Sequence, residues 1–217
     1  MKQIFFHKSK GYLDLNIPHD NGAYYYCKEI YENIMPFIIT KRPWVLLNVP
    51  GYCFDNAIVF IHNNKNPERY AWLSKYKNLI LVCSQVKTLD FMVKLLPMHH
   101  TILLPLSIDT SYVSQFRVKR KSKHTAYYGR ICKCPEHIFY DGAIDKIYGK
   151  DREENLRKVA KYKTVYAIGR CNLEAQCLKC KTITHTGEYE DTKFKLYDNK
   201  DVIPMLQKFI NEIDGVI

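Results

Sequence analysis

The chain has 217 residues and a net charge of +11, a length that suits one large domain or two small ones. No stretch approaches the roughly 20 consecutive apolar residues of a bilayer-spanning helix, which argues against that class of membrane protein. The opening run MKQIFFHKSKGYLDL meets polar residues too early for a signal peptide, so we expect a cytoplasmic protein, in the host cytoplasm if it is viral.

The first half of the chain alternates apolar runs with stretches of helical periodicity. Strands are predicted at residues 3–7, 44–49, 57–62, 78–84 and 101–106, and helices at residues 23–35, 67–76 and 87–96. Strands that are apolar throughout and alternate with helices indicate a parallel sheet with both faces covered.

The second half repeats this alternation. Strands are predicted at residues 124–129, 164–169 and 181–186, helices at residues 152–162, 172–179 and 201–213, and a wholly or partly helical segment at residues 137–149. The sequence therefore predicts an α/β protein of two domains, residues 1–107 and 108–217, joined near residues 107–123. For the last helix, about residues 201–214, packing back on the first domain is an alternative to packing on the second.

The stretch VYAIGRCNLEAQ, residues 165–176, carries the turn of most interest. We expect Gly169 to end a strand, Arg170 to lie in the turn, and Asn172 to cap the next helix. Ligands of doubly wound sheets lie outside the carboxyl ends of the strands, and a helix N-terminus favours an anion. The turn therefore predicts an anion site.

Eight cysteines are scattered along the chain, several of them within apolar runs. In the absence of an export signal, this distribution predicts reduced thiols rather than a disulfide scaffold. One set has spacings that zinc sites use, and it consists of Cys132, Cys134, Cys171, Cys177 and Cys180. These cysteines interrupt predicted strands and helices, so we expect no metal and keep zinc binding as an alternative.

The positive charge is concentrated in one stretch. No acidic residue lies between Asp109 and Glu136, whereas seven basic residues do. They are Arg117, Lys119, Arg120, Lys121, Lys123, Arg130 and Lys133. Such a run is most often a solvated linker, but it also attracts phosphates, which favours a nucleic acid or an anionic sugar donor as partner.

Four segments, in their order along the chain, resemble the two-domain nucleotide-sugar glycosyltransferases of the GT-B fold, especially the branch of sucrose and glycogen synthases. The segments are LILVCS, TILLPLSIDTSYVSQF, TAYYGRICKCPE and VYAIGRCNLEAQCLKCKTIT. The resemblance implies two small Rossmann-like domains that face each other across a cleft, with hinge closure near residues 107–123. It also implies sugar transfer from a nucleotide sugar, UDP-glucose foremost, to a hydroxyl, without a cofactor or a metal ion.

The resemblance assigns roles to residues of the second domain. Arg130 and Lys133 would contact the donor diphosphate, with Arg170 and the helix end at Asn172 beside them. Glu174 would accept hydrogen bonds from the donor's ribose hydroxyls. Fixed cations suit this chemistry because the diphosphate leaving group gains negative charge as the glycosidic bond breaks.

The chain departs from the family pattern at three positions around this motif. The family usually carries a second glutamate eight residues before the one aligned with Glu174, where this chain has Tyr166. A glycine and a proline that follow the helix in the family are replaced by Lys179 and Lys181.

Transfer to a hydroxyl requires a group that takes the proton of the acceptor oxygen, or a donor phosphate that does so. His19 and Asp20 follow the first predicted strand, and His62 ends another one. We predict that the base is among these three residues, each of which is otherwise a loop side chain bonded to backbone.

The acceptor is open at this point. One hypothesis is a small phage enzyme that glucosylates hydroxymethylated bases in DNA, and its rival is a transferase acting on a cell-wall or other glycan acceptor. A non-catalytic nucleotide-binding or nucleic-acid-binding protein is the alternative outside the enzymes, because a fold does not determine a function.

Overall fold

The computed structural model describes residues 3–5, 22–47, 52–61, 67–149, 151–185 and 194–215. It shows an α/β chain with two parallel sheets, one of five strands and one of four, which confirms the predicted fold class at that level. The chain divides into two compact units. The first contains Ala23–Pro105, the first strand and the segment from Lys200, and the second contains Leu106–Asn199.

The first unit follows the predicted alternation of strands and helices. Its strands are β1 Gln3–Phe5, β2 Trp44–Leu47, β3 Ile58–Ile61, β4 Ile80–Cys83 and β5 His100–Leu103. Its helices include α1 Gly22–Asn33, α2 Val86–Leu95 and two 3-10 helices, Met35–Phe37 and Pro67–Lys75. The segment from Pro67 is therefore a 3-10 helix where the sequence predicts an ordinary helix.

The central strands β3 and β4 are buried at every position, because helices cover both faces of the sheet. On one face, Val59 and Leu81 belong to a core that includes Met92 of α2. On the other face, the ring of Phe60 stacks on the ring of Trp44 with a centroid separation of 5.8 Å. It also contacts the ring of Tyr26 of α1 edge-on, with a centroid separation of 6.2 Å. Two-sided burial explains why these strands read as unbroken apolar runs.

The second unit contains the strands and helices that form the candidate site. Its strands are β6 Lys123–Tyr128, β7 Asp145–Ile147, β8 Tyr162–Tyr166 and β9 Lys181–Ile183. Its helices are α3 Thr110–Ser114, α4 Glu136–Phe139, α5 Arg152–Val159, α6 Gly169–Cys177 and the 3-10 helix Ile131–Lys133. The segment of residues 137–149, predicted to be wholly or partly helical, is helical only in α4, and it also contains β7, an edge strand of three residues that was not predicted.

The two sheets differ in strand order. The first runs β1-β2-β3-β4-β5, in the order of the chain, whereas the second runs β7-β6-β8-β9. In the second sheet the chain leaves β6 in one direction to form β7 and then returns past β6 to form β8. Among the strands that the structure describes, the topological switch point thus lies between β6 and β8.

The core of the second unit lies between its sheet and helices α5 and α6. Ala126 and Tyr128 of β6 belong to the same buried cluster as Val165 of β8 and Leu173 of α6. Tyr127, between the two β6 residues, projects to the opposite face because side chains alternate along a strand.

Polar groups fix the ends of the helices in this unit. The side chain of Asp109 accepts from the backbone N–H of Tyr112 at 2.9 Å, which caps α3, and Asp151 caps α5 in the same way. At the other end, Lys121 Nζ donates to the carbonyls of Ala160 and Leu178, each at 3.0 Å, where α5 and α6 finish. Cations at helix carboxyl ends are favourable, so part of the basic stretch has a structural role.

The last helix, α7, spans Asn199–Asp214 and belongs to the first unit from Lys200 onward. Its residues Val202, Leu206 and Ile210 recur every four positions and are all buried. Among the described residues, no helix is long and apolar enough to cross a membrane.

Arg42 ties α7 to two turns of the first unit. Its Nε and Nη2 donate to Oδ1 of Asp214 at 2.9 and 2.6 Å. Its Nη1 donates to the backbone carbonyls of Asn56 and Asn78 at 3.2 and 2.8 Å. One buried guanidinium therefore satisfies a carboxylate and two carbonyls.

We predict that Arg42→Ala lowers the free energy of unfolding by about 2 to 3 kcal/mol, because these acceptors lose their donor. Urea unfolding followed by circular dichroism measures the change. The control is Lys208→Ala, which removes a side chain that is 80% exposed and lies 3.9 Å from Glu212, and it should change stability by less than about 0.5 kcal/mol. Equal losses in the two variants would contradict this role of Arg42.

The carboxyl end of α6 forms a Schellman motif. The N–H of Lys179 donates to the carbonyl of Gln176, and the N–H of Cys180 donates to the carbonyl of Ala175, both at 2.9 Å. The motif requires a left-handed residue, and Lys179 has a φ of +61°.

We predict that Lys179→Gly raises the free energy of unfolding by about 1 kcal/mol, because glycine enters the left-handed region without strain. Thermal and urea unfolding check the gain. Lys161→Gly is the matched control, since Lys161 is an exposed lysine just beyond α5 and is not among the residues with positive φ. The same gain in both variants would rule out relief of backbone strain as the cause.

Candidate anion-binding site

The candidate site lies at the carboxyl ends of β6 and β8, the strands that flank the switch point. The two strands are parallel neighbours, with Tyr127 of β6 opposite Tyr166 of β8. Because all strands of this sheet are parallel, the turns that follow β6 and β8 emerge at the same edge.

A glycine followed by an arginine lies just beyond the end of each of these two strands, and we call the two pairs the glycine–arginine turns. Gly129 and Arg130 follow β6, and Gly169 and Arg170 follow β8. Both glycines have positive φ, +152° and +54°. An added Cβ at Gly169 would meet nothing within 4 Å, so the backbone conformation, rather than lack of space, requires glycine there.

Gly169 and Arg170 are the first two residues of helix α6, so, contrary to the prediction, Gly169 does not end the strand and the helix does not begin at Asn172. The left-handed φ of Gly169 turns the chain into the helix three positions earlier, which places Asn172 inside the first turn. There its Nδ2 donates to the carbonyl of Ala167 at 3.0 Å, and its Oδ1 accepts from Gln176 at 2.7 Å. The prediction that Asn172 caps the helix is therefore wrong, and this side chain instead ties α6 to the end of β8.

Glu174 is the buried acid of this region, with 2% of its surface exposed. Its Oε1 lies 3.0 Å from Nε of Arg152 and 3.1 Å from Nε of Arg170, and its Oε2 accepts from the hydroxyl of Tyr128. Arg170 is one helical turn before Glu174, whereas Arg152 comes from the start of α5. One carboxylate thus links α6 to α5 and β6.

The environment of Glu174 keeps its carboxylate ionised. Burial by itself raises the pKa of the carboxyl. The guanidinium groups of Arg152 and Arg170 and the hydrogen bond from Tyr128 lower the pKa by more than burial raises it. The net result is a pKa below that of an ordinary glutamate. With two arginines around one carboxylate, the cluster retains a net positive charge beside the switch point.

This placement does not support a direct contact between Glu174 and ribose hydroxyls, because the carboxylate is buried and already accepts from three protein groups. The geometry instead gives Glu174 a positioning role. It holds the Nε edge of Arg170, whose side chain is 17% exposed, close to the Gly169 turn.

Arg130 and Lys133 are both exposed. Arg130 lies in the turn after β6, and Lys133 ends the 3-10 helix that follows it. The structure therefore brings Arg130, Arg170 and the start of α6 to one edge of the sheet. Contact of Arg130 and Lys133 with a diphosphate stays a prediction.

Arg152 and Tyr128 belong to this cluster although the sequence did not predict a role for either of them. Arg152 is 22 positions from Glu174 and lies in a charged helix, REENLRKV, that suggests an exposed face. The signal that was available is the capping residue Asp151, which places Arg152 at the start of α5 and so at the carboxyl edge of the sheet. Its guanidinium carbon also lies 5.2 Å from the centre of the Tyr112 ring.

The predicted bases His19, Asp20 and His62 lie outside the described residues, so their role stays a prediction. For the zinc alternative, no three His, Cys, Asp or Glu side chains among the described residues are placed to share a metal ion. Two of the cysteines have other neighbours, since Cys177 Sγ lies 3.8 Å from Arg117 Nη2 and Cys180 Sγ lies 3.2 Å from Lys121 Nζ.

Comparison with known proteins gives no match to this chain, whether with protein-family models, with curated proteins or with solved structures.

We predict that Glu174→Gln lowers the free energy of unfolding at pH 7 by about 3 kcal/mol, because two partly buried arginines lose their anion. Chemical unfolding measures the loss. The control is Glu154→Gln, which acts on an exposed pair with Lys158 and should change stability by less than about 0.5 kcal/mol.

The same variant has a pH signature. The pKa of Glu174 is lower in the fold than in the unfolded chain, so its stabilisation is complete above the ordinary value of 4.5 and is lost as the pH falls through the folded value. The stability difference between wild type and Glu174→Gln should therefore shrink below pH 4.5. A difference that stays constant into acid would show that the charge of Glu174 is not what stabilises the fold.

Proposed function

We propose that the second unit binds the diphosphate of a nucleotide sugar at the carboxyl ends of β6 and β8, and that the chain is a glycosyltransferase that moves the sugar to a hydroxyl acceptor. The observation that carries the proposal is the pair of glycine–arginine turns at the switch point. Each turn combines a glycine that has a positive φ with a cationic arginine. The two turns follow strands that are neighbours in the sheet.

The geometry suits a ligand with two adjacent phosphates. Neighbouring strands lie about 5 Å apart, so a diphosphate is long enough to contact both turns. Arg130 approaches from β6, and Arg170 approaches from β8 together with the first amides of α6. Ile168, the N-cap of α6, makes no side-chain capping hydrogen bond, and a helix N-terminus favours an anion.

The chemistry of sugar transfer gives these cations a function in turnover. Cleavage of the glycosidic bond leaves charge on the departing nucleoside diphosphate, and fixed donors stabilise that charge more in the transition state than in the ground state. The ion pair of Arg170 with Glu174 keeps the guanidinium in place before the ligand arrives, which reduces the reorganisation needed.

The resemblance to GT-B glycosyltransferases supports the same ligand. Two of the four resembling segments, TAYYGRICKCPE and VYAIGRCNLEAQCLKCKTIT, contain the two glycine–arginine turns. The two turns are 40 positions apart along the chain, yet β6 and β8 are adjacent in the sheet.

The structure gives less support to DNA as the acceptor. That hypothesis relied on seven cations in one stretch, and three of them have internal partners. Arg117 donates to the carbonyl of Cys177 at 2.8 Å, Lys121 joins two helix ends, and Lys123 lies 3.0 Å from Asp145. We therefore propose a hydroxyl acceptor without assigning it to nucleic acid or to a glycan.

Calorimetric titration of the full chain with UDP and UDP-glucose, beside other nucleoside diphosphates, tests the donor site. Arg170→Ala should weaken binding by about 10- to 100-fold, the range for loss of a charged hydrogen bond. Arg120→Ala removes an equal charge from an exposed position in the basic stretch and should leave the affinity within about twofold. Similar losses in both variants would indicate general electrostatic attraction and contradict the site.

Turnover separates a transferase from a non-catalytic nucleotide-binding protein. The full chain is incubated with the sugar nucleotide that binds and with glycans or duplexes containing hydroxymethylated bases, and release of the nucleoside diphosphate is measured. Release that depends on an acceptor supports the transferase. Tight binding without release under any of these conditions would support the non-catalytic alternative.

A further inference from the structure

The side chain of Tyr127 lies directly beneath the Gly129–Arg130 turn. The tyrosine is 1% exposed, and its hydroxyl donates to the backbone carbonyl of Arg130 at 2.7 Å. The same carbonyl also accepts from the N–H of Lys133 at 2.9 Å, so this bond spans the 3-10 helix that follows Arg130. Tyr127 thus closes the turn from the strand side.

The contact between Tyr127 and Gly129 would be tight for any side chain at position 129. An added Cβ at Gly129 would lie 3.1 Å from the hydroxyl oxygen of Tyr127 and 3.4 Å from the ring carbon that bears it. The positive φ of Gly129, +152°, is also unfavourable for other residues. The glycine is therefore matched both to the turn and to the tyrosine below it.

Tyr127 is held in this position by its own surroundings. The ring of His185, which follows β9, packs against it with a centroid separation of 5.1 Å. Burial raises the pKa of the Tyr127 hydroxyl well above its usual value, so the group remains a hydrogen-bond donor at physiological pH. The contact with His185 and the position in β6 hold the ring of Tyr127 in place. The hydroxyl of this ring in turn holds the carbonyl of Arg130.

We infer that Tyr127 is a positioning residue for the anion site, which sets the direction in which the Gly129–Arg130 turn presents Arg130 to the ligand. The inference rests on the proposed function, because it assigns a task to a turn that the proposal places at the diphosphate. Arg130 itself is exposed, and its long side chain is steered by the backbone that carries it. Without the hydroxyl of Tyr127, the carbonyl of Arg130 keeps only its hydrogen bond from the N–H of Lys133.

The test is a double-mutant cycle on UDP binding in the full chain. Tyr127→Phe should weaken binding by roughly three- to tenfold, the range for loss of one hydrogen bond. In the Arg130→Ala background the same substitution should have little further effect, because the side chain that it positions is gone. A purely structural role would produce the same loss in both backgrounds.

Tyr162→Phe is the matched control. Tyr162 lies at the amino end of β8, where its hydroxyl contacts Asp145 and Lys123, so the same atom is removed at the opposite edge of the sheet. The Tyr162→Phe variant should bind UDP with the same affinity as the wild type. If Tyr162→Phe weakens binding as much as Tyr127→Phe does, the inference is overturned.

The outcomes distinguish the inference from the proposed function. Normal affinity in Tyr127→Phe together with a loss in Arg170→Ala would reject the inference and leave the site standing. Absence of nucleoside diphosphate binding in the wild type would reject both. Should Tyr127→Phe fold poorly, amide hydrogen exchange in the wild type replaces it, and exchange at Arg130–Lys133 that is as fast as in an unstructured peptide would overturn the inference.

Discussion

The ion cluster of Glu174 with Arg152 and Arg170 is the interaction on which the candidate site depends. A buried carboxylate without cations would be protonated or unstable, and two arginines this close together would repel each other without the carboxylate. Their combination keeps Arg170 beside the Gly169 turn and leaves positive charge at the switch point. The hydroxyl of Tyr128 completes the set and connects it to β6.

The topology of the second sheet explains why these groups meet. The two glycine–arginine turns are 40 positions apart along the chain, but the return of the chain past β6 makes β8 the neighbour of β6. The glycine–arginine turns then share one edge, and Tyr127 supports one of them as Asn172 supports the other. Within the basic stretch, Arg130 and Lys133 lie at this edge, whereas Arg117 and Lys121 donate to carbonyls at the carboxyl ends of α5 and α6, so the net charge of the chain does not describe a single surface.

The sequence predicts most strands and helices, because strands with both faces buried read as apolar runs and helices show their own period. It fails at β7, where three residues, two of them charged, form an edge strand in which only Ile147 is buried. For the site, it identifies the Gly169–Arg170 turn but misplaces the start of the helix, since a glycine with positive φ replaces the expected cap. It assigns Glu174 to the ligand because motif spacing carries no information on burial, and it misses Arg152 because that contact depends on the sheet order.

The central claim is that a nucleoside diphosphate binds at the carboxyl ends of β6 and β8. Hydrogen exchange of the full chain with and without saturating UDP tests it most directly, because the method reports where the ligand lies without altering any residue. The account predicts protection in peptides that cover residues 128–134 and 167–175, with little change at the amino ends of the same strands. Protection confined to other parts of the chain, or none at a saturating concentration, would contradict it.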